Sequence, residues 1–353
     1  MQMPLPLRTG LKYRAEQMRI RVQIELLNRL DNIFIIIEIT GIRNMTKVFI
    51  DGSSGTTGLR IYDRLADRKD IELIILSDDK RKDPEARKEA IFAADAAFLC
   101  LPDAAAIEAV ALAEGSDTVI IDTSTAHRTA EGWTYGFAEL KGGAQRDAIK
   151  AAKRIANPGC HASGFISLVE PLVRKGLLKK DAALSCFSLT GYSGGGKKMI
   201  AEYEDAERDA LLDAPRQYGI TQQHKHLKEM KAVTGLDIAP AFCPIVADFY
   251  SGMEVTVPVF AKDLNGSVQD IKDAYKECYH SKIVHFEDAA DDGGFISAAK
   301  LSGRDDMVIS VSGNDERILL ASLFDNLGKG ASGAAIQNLN IVMGLDETTG
   351  LNV

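Results

Sequence analysis

The sequence predicts an α/β fold in which a doubly wound, Rossmann-like parallel sheet precedes a second α+β domain on a mostly antiparallel sheet. Three observations predict it. Short apolar runs alternate with helical stretches from residue 47 to residue 122, a glycine-rich turn follows the first run, and beyond residue 181 the runs lengthen and alternate with period two. The carboxyl ends of the parallel strands are where such a sheet binds its ligand.

Each element of the first domain follows from a local pattern. Short apolar runs predict strands at residues 47–51, 71–76, 96–101 and 118–122. Helical stretches are predicted to begin near Leu59 and to cover residues 84–93 and 104–113. We expect this first domain to span residues 45–157.

The second domain is predicted from longer runs. Strands are expected at residues 183–190, 242–250, 253–260 and 307–311, with helices at 199–212 and 268–279. We expect this domain to span residues 158–324. The last segment, residues 325–353, is rich in small residues and helical at 336–343, and we expect its helix to return to the first domain and close over the ligand.

Composition and net charge indicate which classes of binding partner are unfavourable for this protein. The 353 residues are 46% hydrophobic and 26% charged, as in ordinary globular proteins, and the formal net charge is −8. An acidic balance argues against broad binding of nucleic acid or anionic membranes. The five cysteines are scattered without a C-x-x-C pair, which predicts neither a disulfide framework nor a zinc site and fits a reducing cytoplasm.

Residues 1–44 differ from the rest of the chain, with seven cationic and four acidic side chains. Their apolar run at residues 33–37 is too short to span a bilayer and lies too late for a signal peptide. We expect an N-terminal extension outside the fold, or an over-extended reading frame, and we expect a chain that begins at Met45 to fold and work.

The first strand leads into a glycine-rich turn and then a helix. This order forms a cradle for phosphate, because glycine lets backbone N–H groups approach a pyrophosphate. The spacing G-x-x-G-x-x-G is a variant of the dinucleotide fingerprint, and an ordinary tight β–α turn is the alternative. The candidate cofactor-binding residues of this turn are Gly52, Ser54, Gly55, Thr56, Thr57 and Gly58.

A charged loop follows the second strand, where dinucleotide folds hold the ribose. An acid there would bind the ribose diol of NAD, whereas cations would accept the 2′-phosphate of NADP. Asp78 and Asp79 precede Lys80, Arg81 and Lys82, and three consecutive cations on an acidic protein favour NADP. Lys80 and Arg81 are therefore candidate cofactor-binding residues, with a solvated loop as the alternative.

One cysteine directly follows a tight turn, in the sequence Asn157-Pro158-Gly159-Cys160. Apolar residues at helical spacing come next, so Cys160 is expected in the first turn of a helix. Free N–H groups and the helix dipole favour an anion there, so that a thiol ionises more readily. A small buried cysteine is the alternative. Beside a nicotinamide site, a reactive thiol indicates aldehyde or acyl chemistry.

Two histidines two residues apart, His224 and His226, are candidates for the base that serves Cys160, with Glu229 as the group that orients it. No third ligand stands nearby, so we expect no metal.

A second glycine-rich loop, at residues 191–198, matches G-x-x-x-x-G-K of a P-loop but has Lys198 where Ser or Thr should ligate Mg²⁺. A loop that offers N–H groups and lysine to an anionic substrate is the better interpretation. The candidate substrate-binding residues are Arg128, Ser193, Gly194 and Lys197.

From Met45 to near its C-terminus the chain resembles the N-acetyl-γ-glutamyl-phosphate reductase family, and specifically its shorter type. The matching segments are residues 52–60, 122–124, 157–160, 191–197 and 328–335. The longer type has tyrosine where this chain has Thr56 and proline where it has Lys228.

The resemblance implies an NADPH-dependent reductase of arginine biosynthesis that acts on an acyl phosphate and forms homo-oligomers, dimers or tetramers. It implies a nucleophile at Cys160 and a histidine base within residues 224–226. Residues 45–157 would be the NADP-binding domain, and residues 158–324 the catalytic and dimerisation domain. The alternatives are a reductase of aspartyl phosphate or of a carrier-bound aminoadipyl phosphate, a P-loop phosphotransferase, and a non-catalytic NADP sensor.

Overall fold

A six-stranded parallel sheet occupies the first part of the chain in the computed structural model, which describes residues 45–53 and 55–353. Its strands lie in the order β2-β1-β3-β4-β6-β5, and every pair is parallel. The strands are β1 Thr46–Asp51, β2 Ile71–Ile74, β3 Ala96–Leu99, β4 Val119–Asp122, β5 Thr134–Tyr135 and β6 Arg154–Ala156. The predicted doubly wound sheet is confirmed.

Helices connect the consecutive strands except β4 and β5. They are α1 Thr56–Ala66, α2 Pro84–Ala93, α3 Asp103–Leu112 and α4 Ala144–Ala151. The sequence predicts α2 to the residue, since Asp83 accepts a capping hydrogen bond and Pro84 follows it. Helix α1 begins at Thr56, three residues before the predicted start, because the glycine turn ends at Gly55.

The second sheet has seven strands in the order β11-β12-β13-β10-β7-β9-β8. Four of its pairs are antiparallel, whereas β7 pairs with β9 and β11 with β12 in parallel. The strands are β7 Ser185–Gly191, β8 Arg216–Gln217, β9 Ala241–Ala247, β10 Met253–Phe260, β11 Val284–Phe286, β12 Met307–Gly313 and β13 Arg317–Phe324. The sheet is therefore mixed, with the predicted antiparallel majority.

Four helices belong to this part of the chain: α5 Cys160–Arg174, α6 Gly196–Glu204, α7 His226–Thr234 and α8 Val268–Cys278. Helix α5 is almost wholly buried, and its Phe165 and Val169 share one core with Val255 and Leu320 of the sheet. One predicted helix, at residues 199–212, is interrupted. Helix α6 ends at Glu204, and a separate 3₁₀ turn, Ala210–Asp213, follows.

The last helix, α9 Gly333–Val342, follows a π turn, Gly328–Ser332. Ala335, Ile336 and Leu339 of α9 lie in the same core as Val48 and Ile121 of the parallel sheet. Among residues 45–53 and 55–353, no helix is long and apolar enough to cross a membrane. The predictions for residues 1–44 concern a segment outside the described residues.

Candidate active site

A cleft of about 630 Å³ lies where the parallel strands end and α5 begins. We call it the Cys160 cleft. It is bounded by the glycine-rich turn, the segments that follow β3 and β4, the turn before α5, and the π turn. Among the residues proposed from sequence it brings together Gly55, Thr56, Thr57, Arg128, Cys160, Ser193, Gly194 and His226.

Cys160 is the first residue of α5, with Gly159 as the N-cap. The backbone N–H of Gly159 donates to Glu229 Oε1 at 2.9 Å. A Cβ atom on residue 159 would lie 2.2 Å from Nη1 of Arg128 and 2.3 Å from Nε2 of His226. Only glycine therefore lets the guanidinium and the imidazole pack against the turn that carries Cys160.

Burial sets the protonation state of the thiol. Burial raises the pKa of Cys160, and the positive charge of Arg128 and a helix N–H group oppose this only in part. The sequence pattern predicts easier ionisation from the helix N-terminus alone. That prediction is wrong for this structure, because desolvation of the thiolate outweighs the dipole and the cation.

Of the two candidate histidines, only His226 lines the cleft. It is the first residue of α7, and burial, with the nearby positive charge, keeps its pKa well below the ordinary value. It is therefore a neutral imidazole able to accept a proton. His224 instead accepts a hydrogen bond from the backbone N–H of His226 through Nδ1, at 3.3 Å.

Arg128 is held from three sides. Its Nε donates to the carbonyl of Asn157 at 3.0 Å, Nη1 to Glu229 Oε2 at 3.0 Å, and Nη2 to the carbonyl of Thr123 at 3.2 Å. A guanidinium has five N–H groups, so two remain without a partner among the described residues. Arg128 is one of the residues that line the Cys160 cleft.

Glu229 does not orient a histidine. Besides Arg128 and Gly159, its carboxylate accepts a 2.7 Å hydrogen bond from the hydroxyl of Tyr135. A buried carboxylate with three donors is well stabilised, so Glu229 fixes the turn before Cys160 and the guanidinium together. Sequence reasoning missed Tyr135, because nothing local marks a tyrosine on a short strand as a partner of a helix far along the chain.

His161 is a second residue that sequence reasoning missed. Its Nδ1 lies 2.6 Å from the Ser188 hydroxyl and its Nε2 lies 2.7 Å from the Tyr218 hydroxyl. Burial lowers the pKa of His161 to about 3, so it is neutral. It anchors the first turn of α5 to β7, directly behind Cys160.

The cofactor candidates divide between two cavities. Gly55, Thr56 and Thr57 line the Cys160 cleft, while Gly52 and Arg81 line a neighbouring cavity of about 250 Å³. Gly52 has a φ of +88°, which glycine alone adopts without strain.

Three remaining candidates have other positions. Gly58 packs against the carbonyl of Gly52, Lys80 lies outside the lining of both cavities, and Ser54 lies outside the described residues. The two cavities flank the glycine turn, so the residues present fit a dinucleotide that crosses it.

Two of the three candidates from the second glycine loop reach the cleft. Ser193 accepts a hydrogen bond from Asn326 Nδ2 at 3.1 Å, and Gly194 lies next to it. Lys197 does not reach the cleft. It lines a separate cavity of about 440 Å³ with Arg60, on the outer side of α1. Within the part of the chain that the structure describes, no group of three His, Cys, Asp or Glu side chains could hold a metal ion.

A parallel dinucleotide-type sheet, a mixed sheet and a cysteine at their junction are the architecture of semialdehyde dehydrogenases. Two family models match the chain: "Semialdehyde dehydrogenase, NAD binding domain" at residues 47–152 and "Semialdehyde dehydrogenase, dimerisation domain" at residues 160–326. Solved structures agree at the level of fold. An aspartate semialdehyde dehydrogenase II from Vibrio cholerae has a TM-score of 0.65 at 15% identity, over 86% of this chain and 99% of that one. One from Candida albicans with NADP has a TM-score of 0.61 at 16% identity, over 85% and 99%.

The chain belongs to the N-acetyl-γ-glutamyl-phosphate reductase family. It is 43% identical over 322 residues to N-acetyl-γ-glutamyl-phosphate reductase 2 of Nostoc sp., a match that covers 87% of this chain and 100% of the relative. It is 44% identical to the reductases of Allorhizobium ampelinum and Brucella ovis, over 84% of this chain and 98% and 99% of theirs.

Proposed function

We propose that the protein reduces N-acetyl-L-glutamyl 5-phosphate to N-acetyl-L-glutamate 5-semialdehyde and phosphate, with NADPH, through a thioester on Cys160. The observation that carries this proposal is the contact of Arg128 and His226 with Gly159, beside Cys160, in a cleft that the glycine turn also lines. The substrate is inferred from the names of the relatives, and the thioester chemistry from the residues of the site.

His226 is the base of the proposed mechanism. Because burial disfavours both thiolate and imidazolium, the resting pair is neutral, and the thiol proton passes to His226 as sulfur attacks. A carbon–sulfur bond forms at the acyl carbon, the bond from that carbon to the phosphate oxygen breaks, and phosphate leaves. Covalent catalysis thereby divides one hard reduction into two easier steps.

The chemistry that a reduced nicotinamide supplies when bound is a hydride for the thioester carbon. Hydride addition leaves a thiohemiacetal alkoxide on Cys160; its carbon–sulfur bond breaks, the semialdehyde leaves, and the proton that His226 took from the thiol returns to the sulfur. The free N–H groups of Arg128, with the Ser193 hydroxyl and the Gly194 backbone, are our candidates for holding the substrate's carboxylate or phosphate.

The nicotinamide cofactor is proposed to be NADP. Support comes from Arg81, which lines the cavity beside Gly52 together with Lys82 just past the end of β2. Cations at this place accept a 2′-phosphate. The acids of the same loop, Asp78 and Asp79, line neither this cavity nor the Cys160 cleft.

We also propose that the protein forms a homo-oligomer through the uncovered face of the mixed sheet. On that face Phe187, Phe260 and Leu319 are 44%, 54% and 41% exposed. Phe187 pairs across the sheet with Thr256, and Leu319 with Pro258, so these side chains share one side. A second copy is the proposed occupant, because the matched dimerisation model, residues 160–326, includes this surface.

A cytoplasmic location is proposed as well. All five cysteines are free thiols. Free thiols at this density fit a reducing compartment.

The test of the reaction is phosphate-dependent reduction of NADP⁺ with N-acetylglutamate semialdehyde. Cys160→Ser is expected to abolish this activity, whereas Cys278→Ser, a free cysteine at the end of α8 outside the cleft, is a matched control expected to retain it. A Cys160→Ser enzyme with the normal rate would contradict the thioester. Faster turnover of aspartate semialdehyde in the same assay would contradict the substrate.

A further inference from the structure

We propose that Lys329, a buried lysine in the π turn, is a positioning residue that holds this turn against Cys160. The proposal rests on the nucleophilic role given to Cys160 above. Lys329 itself touches no part of the Cys160 cleft, and acts through its neighbours Gly330 and Ala331, which line it.

The ammonium group is fully enclosed. Lys329 is 2% exposed, and its Nζ donates to Glu139 Oε2 at 2.8 Å and to Gln337 Oε1 at 2.6 Å. The same nitrogen lies 4.5 Å from the ring centroid of Phe137. Gln337 Nε2 donates to Glu139 Oε1 at 2.7 Å, which closes a triangle of three side chains.

Two members of the triangle, Lys329 and Glu139, form an ion pair. Burial alone would raise the pKa of Glu139, but the ammonium of Lys329 and the amide of Gln337 bring it below its usual range. Desolvation offsets most of the attraction in a buried ion pair, so such a pair contributes little net stability compared with well-packed apolar groups. A fixed geometry for the turn explains the lysine better than stability does.

The π turn contacts the proposed nucleophile, so its position affects the position of Cys160. A Cβ atom on residue 330 would lie 3.0 Å from the Cβ of Cys160, so the backbone of Gly330 packs directly on the cysteine. The next carbonyl, of Ala331, accepts a 3.0 Å hydrogen bond from Asn157 Nδ2. One turn therefore contacts Cys160 and the turn that precedes it. π-helical turns of this kind occur often at functional sites.

A second path leads through α9. Asn338, next to Gln337, donates from Nδ2 to the carbonyl of Gly136 at 2.9 Å and to Asn157 Oδ1 at 3.2 Å. Asn157 is thus held both by the π turn and by the helix that the lysine triangle fixes. Loss of the triangle is expected to shift Asn157 and Gly330 together, and Cys160 with them.

The test uses the double variant Lys329→Met/Glu139→Gln, which removes both charges without leaving either one unpaired in the core. Arg146→Met is the matched control. Arg146 pairs with Glu347 at the outer end of the same network and does not touch the π turn. Two readouts are needed: the rate of Cys160 alkylation by iodoacetamide in cofactor-free enzyme across pH, and the deuterium isotope effect on kcat with NADPH labelled at C4.

We expect the double variant to keep its circular dichroism spectrum and to change KM little. Its kcat should fall by roughly 10- to 100-fold, as a displacement of about 1 Å does to a reacting pair. The isotope effect should fall toward one, because attack by the misplaced sulfur becomes rate-limiting, and the alkylation profile should shift. Arg146→Met should leave the isotope effect and the alkylation profile as in the wild type.

A double variant with an unchanged isotope effect and an unchanged alkylation profile would overturn the proposal, because a purely structural role reduces only the folded fraction. If the double variant does not fold, Lys329→Gln carries the same two readouts with the same expected directions. If the wild type shows no phosphate-dependent turnover, the proposed function fails, while the alkylation comparison still decides the role of Lys329.

Discussion

At the scale of single residues, burial determines the protonation states of Cys160 and His226. Burial disfavours the thiolate of Cys160 and the imidazolium of His226, so neither group is charged in the free enzyme. A neutral pair keeps the thiol unreactive toward adventitious electrophiles. In the proposed mechanism the nucleophile is generated when the thiol proton moves to His226.

Replacing the two histidines separately distinguishes their roles. His226→Gln is expected to lower kcat by ~10²–10⁴-fold, the usual contribution of a general acid–base group. His224→Gln loses the 3.3 Å hydrogen bond to the backbone of residue 226 and the ring contacts with His226 and Phe242, and should lower kcat a few-fold. Steady-state kinetics of both variants checks this, and equal losses would contradict the assignment of His226 as the base.

The pH dependence of alkylation tests the raised thiol pKa. Because burial raises the pKa of Cys160 above its ordinary value, the thiolate fraction of the free enzyme keeps rising with pH through the range from 7 to 9. The rate of reaction with iodoacetamide should therefore increase about tenfold per pH unit over that range. A rate that levels off below pH 8 would contradict the raised pKa.

At the scale of elements, the loop after β2 is proposed to set the preference for NADPH over NADH. The double variant Arg81→Ala/Lys82→Ala should raise KM for NADPH by ~10–100-fold, since hydrogen bonds to charged groups contribute about 1.5–3 kcal/mol. The KM for NADH should change little. Lys80→Ala is the control, because Lys80 lines neither cavity, and a similar loss for NADH and NADPH would oppose a 2′-phosphate site.

Some elements of the structure could be predicted from local sequence patterns, and others could not. Local patterns sufficed for β1 to β4, for α2, for the glycine turn and for the turn before Cys160, because each depends on neighbours in the chain. They missed β5 and β6, which have two and three residues and are too short to show a pattern. They did not reveal the ion pair of Arg128 with Glu229, which lies 101 residues away, nor the thiol pKa, which depends on the surrounding burial. Lys197 was misplaced because a motif gives a spacing but not the face of α6 on which a side chain lies.

At the scale of the whole molecule, the uncovered sheet face is expected to hold two copies together. Leu319→Glu should weaken self-association, because a carboxylate in an apolar contact loses its hydration without gaining a partner. Ile107→Glu is the matched control, since Ile107 is 56% exposed on α3 of the parallel sheet. Sedimentation velocity of both variants checks this. A Leu319→Glu protein that sediments like the wild type would show that this face is not the surface of self-association.

Residues 328–353 complete a cleft and two cores whose other residues lie much earlier in the sequence. The π turn walls the Cys160 cleft, α9 fills the core under the parallel sheet, and Leu351 packs against both main cores. Asn352 and Asp305 exchange hydrogen bonds, which secures the last residues. During synthesis the core of the parallel sheet is consequently incomplete until α9 has left the ribosome, unlike domains that fold in order from the N-terminus. The apolar side chains of that core, Val48 and Ile121 among them, are therefore exposed in a nascent chain until residues 333–342 have been made.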